Sequence, residues 1–178
     1  MERIPWEVDG MSFSDAYVAG FFDGDGSLVA ILEKNSSKYL RTYRPRIKIN
    51  FTQHLRHAQM LEGLRNYLGA GVIRLVPSHK LAELVITNRI EVKRIINKML
   101  PHLVLKKKQA LIALEILSLL GDNTRSNRIS DDVYSEIIKN ISKVRALNSR
   151  TGGKKKSSPF DPVTTSRLGE GVAEMSKD

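Results

Sequence analysis

The stretch Ala16-Tyr17-Val18-Ala19-Gly20-Phe21-Phe22-Asp23-Gly24-Asp25-Gly26-Ser27-Leu28 decides how this chain is interpreted. It begins as an apolar helix of small residues and ends in two carboxylates, Asp23 and Asp25, two residues apart. The last carbonyl groups of a helix lack hydrogen-bond partners and carry partial negative charge. Two carboxylates placed there reinforce that field and favour a cation, and oxygen ligands suit Mg²⁺.

Two other interpretations of the acidic pair compete with a metal site. The Asp-Gly-Asp-Gly sequence resembles the start of an EF-hand loop, but Leu28 stands at the required glycine and Lys34 at the required glutamate. An EF-hand is therefore excluded. The second alternative, that both aspartates are helix-end or turn residues, stays open on spacing alone.

Small residues follow one face of this helix, which is expected to begin at a cap on Ser12 or Ser14 and to run to about Gly24. Ala16 and Gly20 are four residues apart, and Gly24 follows them. Such a row lets another backbone approach closely. The helix packs either on its own sheet or against the same helix of a second subunit.

The clearest strand alternates apolar and polar residues. Pro45, Ile47, Ile49 and Phe51 fall on one face, whereas three cations and an amide fall on the other, namely Arg44, Arg46, Lys48 and Asn50. A hairpin over residues 72–87 adds Arg74 and Glu83, both opposite in phase to their apolar neighbours. We expect one face of the sheet to be buried and the other to be open and basic.

The predicted elements follow the order helix, strand, strand, helix, strand, strand, helix, then further helices. This order predicts an α+β fold with one antiparallel sheet and helices on one face. Residues 106–120 are apolar almost all round, which predicts a buried helix. We divide the chain into an N-terminal arm (1–11), a folded domain (12–148) and a basic segment with a tail (149–178).

The charge balance favours a polyanionic partner. The 178 residues contain 29 Lys and Arg against 19 Asp and Glu, a net charge of +10. Without an apolar run long enough to span a bilayer or a secretory leader, nucleic acid in an intracellular setting is preferred over a membrane. The absence of cysteine excludes disulfides and cysteine-based zinc sites.

Residues 18–27, Val-Ala-Gly-Phe-Phe-Asp-Gly-Asp-Gly-Ser, resemble the LAGLIDADG motif of homing endonucleases. The resemblance covers roughly residues 12–148 and holds again at 51–53 and 101–110. One copy of the motif resembles the homodimeric class of this family. The resemblance implies the αββαββα homing-endonuclease fold, with a saddle-shaped antiparallel sheet and additional C-terminal helices.

The resemblance also implies roles for single residues. Asp25 matches the metal-binding carboxylate and the Gly24 carbonyl its backbone partner, with Mg²⁺ as the cofactor and Mn²⁺ as a substitute. Gln53 matches a residue that orients water, and Lys106 a basic residue near the scissile phosphate; Asp23 matches a less essential acid, at a helix end or in packing. The expected periphery of the site is Arg56, His57 and Lys108. Ala16, Ala19 and Gly20 are expected at the dimer interface.

The function implied is site-specific cleavage of both strands of DNA at a long pseudo-palindromic site, leaving short 3′ overhangs and promoting mobility of an intron. The partners expected are double-stranded DNA and a second copy of the chain, without a membrane or a small-molecule substrate. The expected base readers are Glu33, Asn35, Arg44, Arg46, Lys48, Asn50, Arg74 and Glu83. Arg150 and Lys154, with the neighbouring lysines, are expected to contact phosphates.

Two rival functions stay open on the sequence. The same scaffold serves a non-cleaving nucleic-acid binder, such as an RNA maturase or a transcription regulator. A basic structural RNA-binding protein would explain the charge but gives no reason for the acidic end of the first helix.

Overall fold

The computed structural model describes residues 12–36, 41–121 and 129–148. These residues belong to one compact unit, which ends at Asn148. The expectations for the arm (1–11), for the segment 149–178 and for its basic residues Arg150 and Lys154 lie outside the described residues.

The first helix, α1 (Asp15–Asp25), begins where the Ser14 hydroxyl accepts a hydrogen bond from the Tyr17 backbone N–H at 3.1 Å. It leads directly into strand β1 (Gly26–Lys34) without a connecting loop. A Cβ atom at Gly26 would lie 2.3 Å from the Phe22 ring and 2.6 Å from the Phe22 carbonyl oxygen. The glycine therefore permits the sharp passage from helix to strand that fixes where Asp25 stands.

Four antiparallel strands form the sheet, in the order β1, β2 (Tyr43–His54), β4 (Leu81–Ile86), β3 (Val72–Val76). The alternation predicted for β2 is confirmed, since Pro45, Ile47, Ile49 and Phe51 are buried and the residues between them are not. Each apolar residue of this row faces the helices. The intervening residues face the open side of the sheet. The residues that pair with them on β1 and β4 face the same side.

The helices cover one face of the sheet. A short 3₁₀ turn, Leu55–His57, precedes α2 (Ala58–Leu68), and Gly69 ends α2 in the left-handed conformation with φ of 64°. Helix α3 (Arg89–Met99) begins at Asn88, whose side chain accepts hydrogen bonds from two backbone N–H groups in the first turn. The predicted element order is thus confirmed.

Helix α4 (Lys107–Leu120) departs from the sequence-based expectation. Its buried residues follow one face, whereas Leu111 on another face is 51% exposed. An apolar composition all round this helix therefore does not mean burial all round within one chain. Its inner face packs against α5 (Asp131–Leu147), which is capped by the Ser130 side chain.

Helix α5 is fastened to the start of β2 by a cluster of polar and aromatic groups. Arg41 Nη2 donates to the Ile129 carbonyl at 2.6 Å and to Asp131 Oδ1 at 2.8 Å. The Arg41 guanidinium lies 4.3 Å from the centre of the Tyr134 ring, and the Tyr134 hydroxyl donates to the Tyr43 carbonyl. The C-terminal helix thus supports the end of the sheet at which β2 begins.

No helix among the described residues is both long and apolar enough to cross a membrane.

The passage from α1 to β1 provides a test of the fold. Because Gly26 has an ordinary φ of −86°, the cost of Gly26→Ala is steric, and overpacking of this kind costs about 1–3 kcal/mol. Gly69→Ala serves as the comparison, since a Cβ there meets nothing within 4 Å and only the left-handed backbone opposes it, at about 1–2 kcal/mol. Urea denaturation measures both. A Gly26→Ala variant as stable as the parent would contradict the close approach to Phe22.

Candidate active site and nucleic-acid interface

The two acids at the end of α1 face different surroundings. Asp25 is exposed, whereas Asp23 is partly buried against the segment that precedes α4. Gly26 pairs with Phe51 across β1 and β2, so Gln53, two residues beyond Phe51, lies at the same end of the sheet as Asp25. The register therefore brings both predicted catalytic residues to one edge of the fold.

The Asp23 carboxylate binds three consecutive backbone N–H groups. Asp23 Oδ2 accepts from Val104 at 2.7 Å and from Leu105 at 3.1 Å, and Oδ1 accepts from Lys106 at 2.8 Å. Burial by itself raises the pKa of this carboxyl, but the backbone donors, aided by the Lys106 charge, hold the pKa below its ordinary value. Asp23 thus joins the end of α1 to the start of α4, which fits the helix-end role expected from the sequence.

The side chain of Lys106 also contacts Asp23. Its ammonium group donates to the backbone carbonyl of Asp23, and it lies 5.9 Å from the centre of the Phe22 ring. Partial burial lowers the pKa of Lys106, and the charges of Asp23 and Asp25 oppose that shift. The Asp25 charge thus acts on Lys106, while the roles predicted for the two residues stay predictions.

The other predicted site residues lie at the surface around this edge. Gln53 Oε1 accepts from the backbone N–H of His54 at 2.8 Å. In the 3₁₀ turn that follows, Arg56 Nε donates to His57 Nε2 at 3.0 Å, so these two residues form one unit. Lys108 is exposed in the first turn of α4. These contacts leave Gln53, Arg56 and His57 beside the end of β2.

The described part of the chain holds no cluster of side chains that could bind a metal ion. Among residues 12–36, 41–121 and 129–148, no group of three or more His, Asp or Glu side chains is placed to hold a metal ion. The donors present at the end of α1 are the exposed Asp25 carboxylate and the adjoining backbone of Gly24. Oxygen donors of this kind fit a hard divalent cation, but further ligands are needed.

The row of small residues on α1 is partly exposed. Ala16, Gly20 and Gly24 are exposed, and a Cβ atom at either glycine would meet nothing within 4 Å. Ala19, expected at the dimer interface, is 0% exposed and belongs to the core of its own chain. The expectation for Ala19 is therefore wrong, because the inward face of α1 uses this residue to pack on the sheet.

The predicted base readers of β1 and β2 share the open face of the sheet. Glu33 forms ion pairs with Arg46 at 2.7 Å, Arg44 at 3.4 Å and Lys48 at 3.8 Å. All four residues are expected in the interface from the sequence, but their alternation does not reveal that one carboxylate binds all three cations. The cross-strand register, which composition and alternation do not specify, makes this cluster.

The remaining predicted readers differ in availability. Arg74 and Glu83 stand opposite each other on β3 and β4. Asn35 Nδ2 donates to the Arg41 carbonyl at 2.8 Å, so this amide holds the β1–β2 connection together. Asn50 Oδ1 is buried and has no hydrogen-bond partner within the described ranges, so it does not present both amide atoms to the open face.

Two further residues of the open face were missed by the sequence analysis. Thr52 and His54 alternate in phase with Asn50, and they pair with Glu83 and Leu81 of β4. The signal was available in the same alternation that selected Arg44, Arg46 and Lys48. The open face thus extends along β2 as far as the edge that carries Asp25.

The comparisons with known proteins agree with this arrangement. The family model described as LAGLIDADG endonuclease matches residues 18–110, more than half of the chain. The chain is 28% identical over 132 residues to DNA endonuclease I-CreI of Chlamydomonas reinhardtii, covering 74% of this chain and 77% of the relative. It is 29% identical over 105 residues to DNA endonuclease I-CvuI of Chlorella vulgaris, covering 59% and 64% of the two chains.

Solved structures extend the likeness to the fold. The crystal structure of homing endonuclease I-CvuI in complex with its target superposes with a TM-score of 0.69 at 28% identity, covering 81% of this chain and 85% of that one. The I-SmaMI LAGLIDADG homing endonuclease bound to cleaved DNA gives a TM-score of 0.69 at 22% identity, covering 82% of this chain and 48% of that one. At that identity the second likeness concerns the fold alone.

The homing-endonuclease fold expected from the sequence is therefore confirmed, and so is the family resemblance carried by the motif at the end of α1. This chain belongs to the LAGLIDADG endonuclease family.

Proposed function

We propose that this chain is a site-specific endonuclease of double-stranded DNA that works as a homodimer with a divalent metal. The observation that carries the proposal is the exposed Asp25 at one end of a basic, open sheet face, where its charge acts on the pKa of Lys106. The relatives that are DNA endonucleases, and the solved complex of I-CvuI with its target, support the same activity.

The dimer is supported by two glycines of α1 that have no explanation within one chain. A glycine inside a helix costs roughly 0.5–1 kcal/mol relative to alanine. Gly20 and Gly24 incur this cost although a Cβ would meet nothing in their own chain. Close packing of two α1 helices along Ala16, Gly20 and Gly24 accounts for both glycines. The same packing brings two Asp25 carboxylates together at one axis.

The residues at that axis fit a divalent cation. The Asp25 carboxylate and the Gly24 carbonyl from each of two chains supply the oxygen donors that Mg²⁺ prefers, with Mn²⁺ as a substitute. Structures of I-CvuI with Mg and with Ca agree with a hard divalent ion. When bound, such an ion polarises phosphate oxygens and makes hydroxide available at neutral pH.

The chain's own residues supply the remaining chemistry. The Lys106 ammonium offsets the negative charge that develops on the scissile phosphate, and Asp23 fixes the backbone that carries it. Gln53 orients the attacking water, with Arg56, His57 and Lys108 forming the periphery. Apart from Asp23, at the end of α1, these side chains lie at or just after the end of β2 or at the start of α4.

The open face of the sheet is the proposed site of sequence recognition. Its strands enter the major groove, where arginine reads guanine, and each half of the dimer follows the DNA for about one turn, ~10 bp. A two-fold dimer then selects a pseudo-palindromic site and leaves short 3′ overhangs. Cleavage of that kind serves the mobility of an intron, inside the cell or one of its organelles. Arg150 and Lys154 would add phosphate contacts.

Asp25→Asn tests the metal role. The amide keeps the shape but removes the charge, so the cleavage rate is expected to fall at least about a hundredfold while DNA binding is retained. Cleavage is followed on supercoiled plasmids that carry the DNA flanking the gene, and binding is measured in EDTA. Asp15→Asn, in the first turn of the same helix, is the control. Nicking at the parent rate would refute the assignment and an uncleaved parent reaction would favour a non-cleaving binder.

Gly20→Ala separates the dimer from the fold of one chain. In a single chain the change is expected to stabilise α1 by roughly 0.5–1 kcal/mol, because alanine favours helix. In the dimer the added methyl group separates the two helices, so the dissociation constant rises. Sedimentation equilibrium and urea denaturation at monomeric concentrations give the two values, and Ala146→Gly on α5 calibrates the helix effect. An unchanged dissociation constant would contradict the packing.

A double-mutant cycle tests whether Asp23 acts through Lys106. Asp23→Ala releases three backbone N–H groups and is expected to lower the single-turnover cleavage rate at saturating protein by roughly 10–100-fold. In a Lys106→Ala background the same change should have little further effect, because the positioned group is already gone. Fully additive losses in rate, or a parallel loss of DNA affinity, would mean that Asp23 serves only the general fold.

A further inference from the structure

The Glu33 carboxylate is the centre of the ion-pair cluster on the open face. Glu33 Oε2 lies 2.7 Å from Arg46 Nε and 3.4 Å from Arg44 Nη2, and Oε1 lies 3.8 Å from Lys48 Nζ. The side chains of Glu33, Arg46 and Lys48 retain only 27%, 28% and 26% exposure. One acid therefore holds three of the cations that the sheet offers to DNA.

The register explains why this acid reaches so many partners. Glu33 pairs with Arg44, and the positions before it on the same face of β1, Ile31 and Val29, pair with Arg46 and Lys48. Since these two neighbours are apolar, they offer the cations no charge. Glu33 is thus the carboxylate of β1 that the row of cations on β2 can reach.

We propose that Glu33 is a specificity-determining residue, which lowers the affinity for non-cognate DNA by competing with phosphates for Arg44, Arg46 and Lys48. The inference rests on the proposed function, because it assumes that the open face binds duplex DNA. It replaces the expectation that Glu33 itself reads a base.

The physical reason is that phosphates and base edges attract these cations differently. Non-specific affinity comes from neutralising phosphates, and each phosphate contact contributes to the steep salt dependence of binding. A carboxylate in the middle of the cluster removes one unit of that charge and repels phosphates that approach within a Debye length. DNA of random sequence is therefore bound less tightly by the open face.

A base edge is penalised less by the same carboxylate, because the edge is uncharged and its acceptors are directional. Glu33 contacts Arg46 at Nε, 2.7 Å from the carboxylate, and a guanidinium carries further N–H donors on its two Nη atoms. A guanidinium held in this way is oriented before it meets a guanine, whose N7 and O6 accept a pair of hydrogen bonds. The ion pair therefore weakens binding to phosphates more than it weakens recognition of a base edge.

Glu33→Gln tests the inference, because the amide keeps the length and the acceptor oxygen but removes the charge. The probe is a random-sequence duplex of about two helical turns, ~20–25 bp, in EDTA so that it is not cleaved. Fluorescence anisotropy from about 50 to 200 mM salt is expected to show tighter binding and a steeper salt slope. One extra neutralised phosphate makes the slope of log K against log salt concentration steeper by about 0.9. The binding constant then falls by roughly a further threefold over that range of salt.

Two comparisons separate the cluster from net charge. Glu62→Gln makes the same change in charge on α2, where Glu62 pairs with Arg65 at 2.9 Å, and should leave the slope unchanged. Arg46→Gln should weaken binding of the random duplex more in the Glu33→Gln background than in the parent, because Arg46 is then released to phosphates. Selection of cleaved sites from a random library should return a less stringent site for Glu33→Gln.

Several results would overturn the inference. A slope unchanged by Glu33→Gln, an equal change with Glu62→Gln, or additive effects with Arg46→Gln would each do so. A changed preference at a single base pair with an unchanged slope would restore direct base reading by Glu33. If the parent protein does not bind the duplex at all, the proposed function fails instead, and the two failures are distinguishable in one experiment.

Discussion

The structure depends on one carboxylate that accepts three backbone hydrogen bonds. Asp23 stands at the end of α1, and its donors are the consecutive N–H groups of residues 104–106, some eighty positions later in the chain. Both halves of the fold meet at this contact. Asp25 lies two residues after the acceptor, and the Lys106 ammonium donates back to the carbonyl of the same aspartate. The backbone positions from which Asp25 and Lys106 project are therefore fixed relative to each other by these hydrogen bonds.

Much of this arrangement could be predicted from the sequence, because its signals are local. Alternation along residues 44–51 gives the buried and open faces, and the cap residues Ser14, Asn88 and Ser130 mark the helix starts. Contacts that depend on the packing of distant segments could not be predicted in the same way. The burial of Ala19, the exposed Leu111 and the binding of three cations by Glu33 all follow from register and helix rotation. The spacing of residues along a single helix or strand specifies neither the register between strands nor the rotation of a helix.

The chemistry and the recognition of DNA are divided between different elements in the proposed function. The proposed cleavage groups lie at the end of α1, the end of β2 and the start of α4, whereas the proposed readers occupy the middle of the strands. Helix α5 supports the opposite end of β2 through Arg41 and Tyr134. The sheet is therefore held at both ends. The residues on its open face, between those ends, do not belong to the hydrophobic core. In the proposed function, substitutions on that face change which DNA is recognised and leave the positions of Asp23 and Asp25 unchanged.

The exposed glycines of α1 have a consequence for how the activity depends on the amount of protein. In the proposed dimer each chain brings one Asp25, so a lone chain holds half of the metal ligands and is inactive. When the protein is scarce, the concentration of active enzyme then rises with the square of the concentration of the chain. A cell that expresses the gene weakly would have almost no nuclease, and a modest rise in expression would switch cleavage on steeply. In the proposed dimer, the close approach of two helices thereby sets a concentration of the chain below which little active nuclease is present.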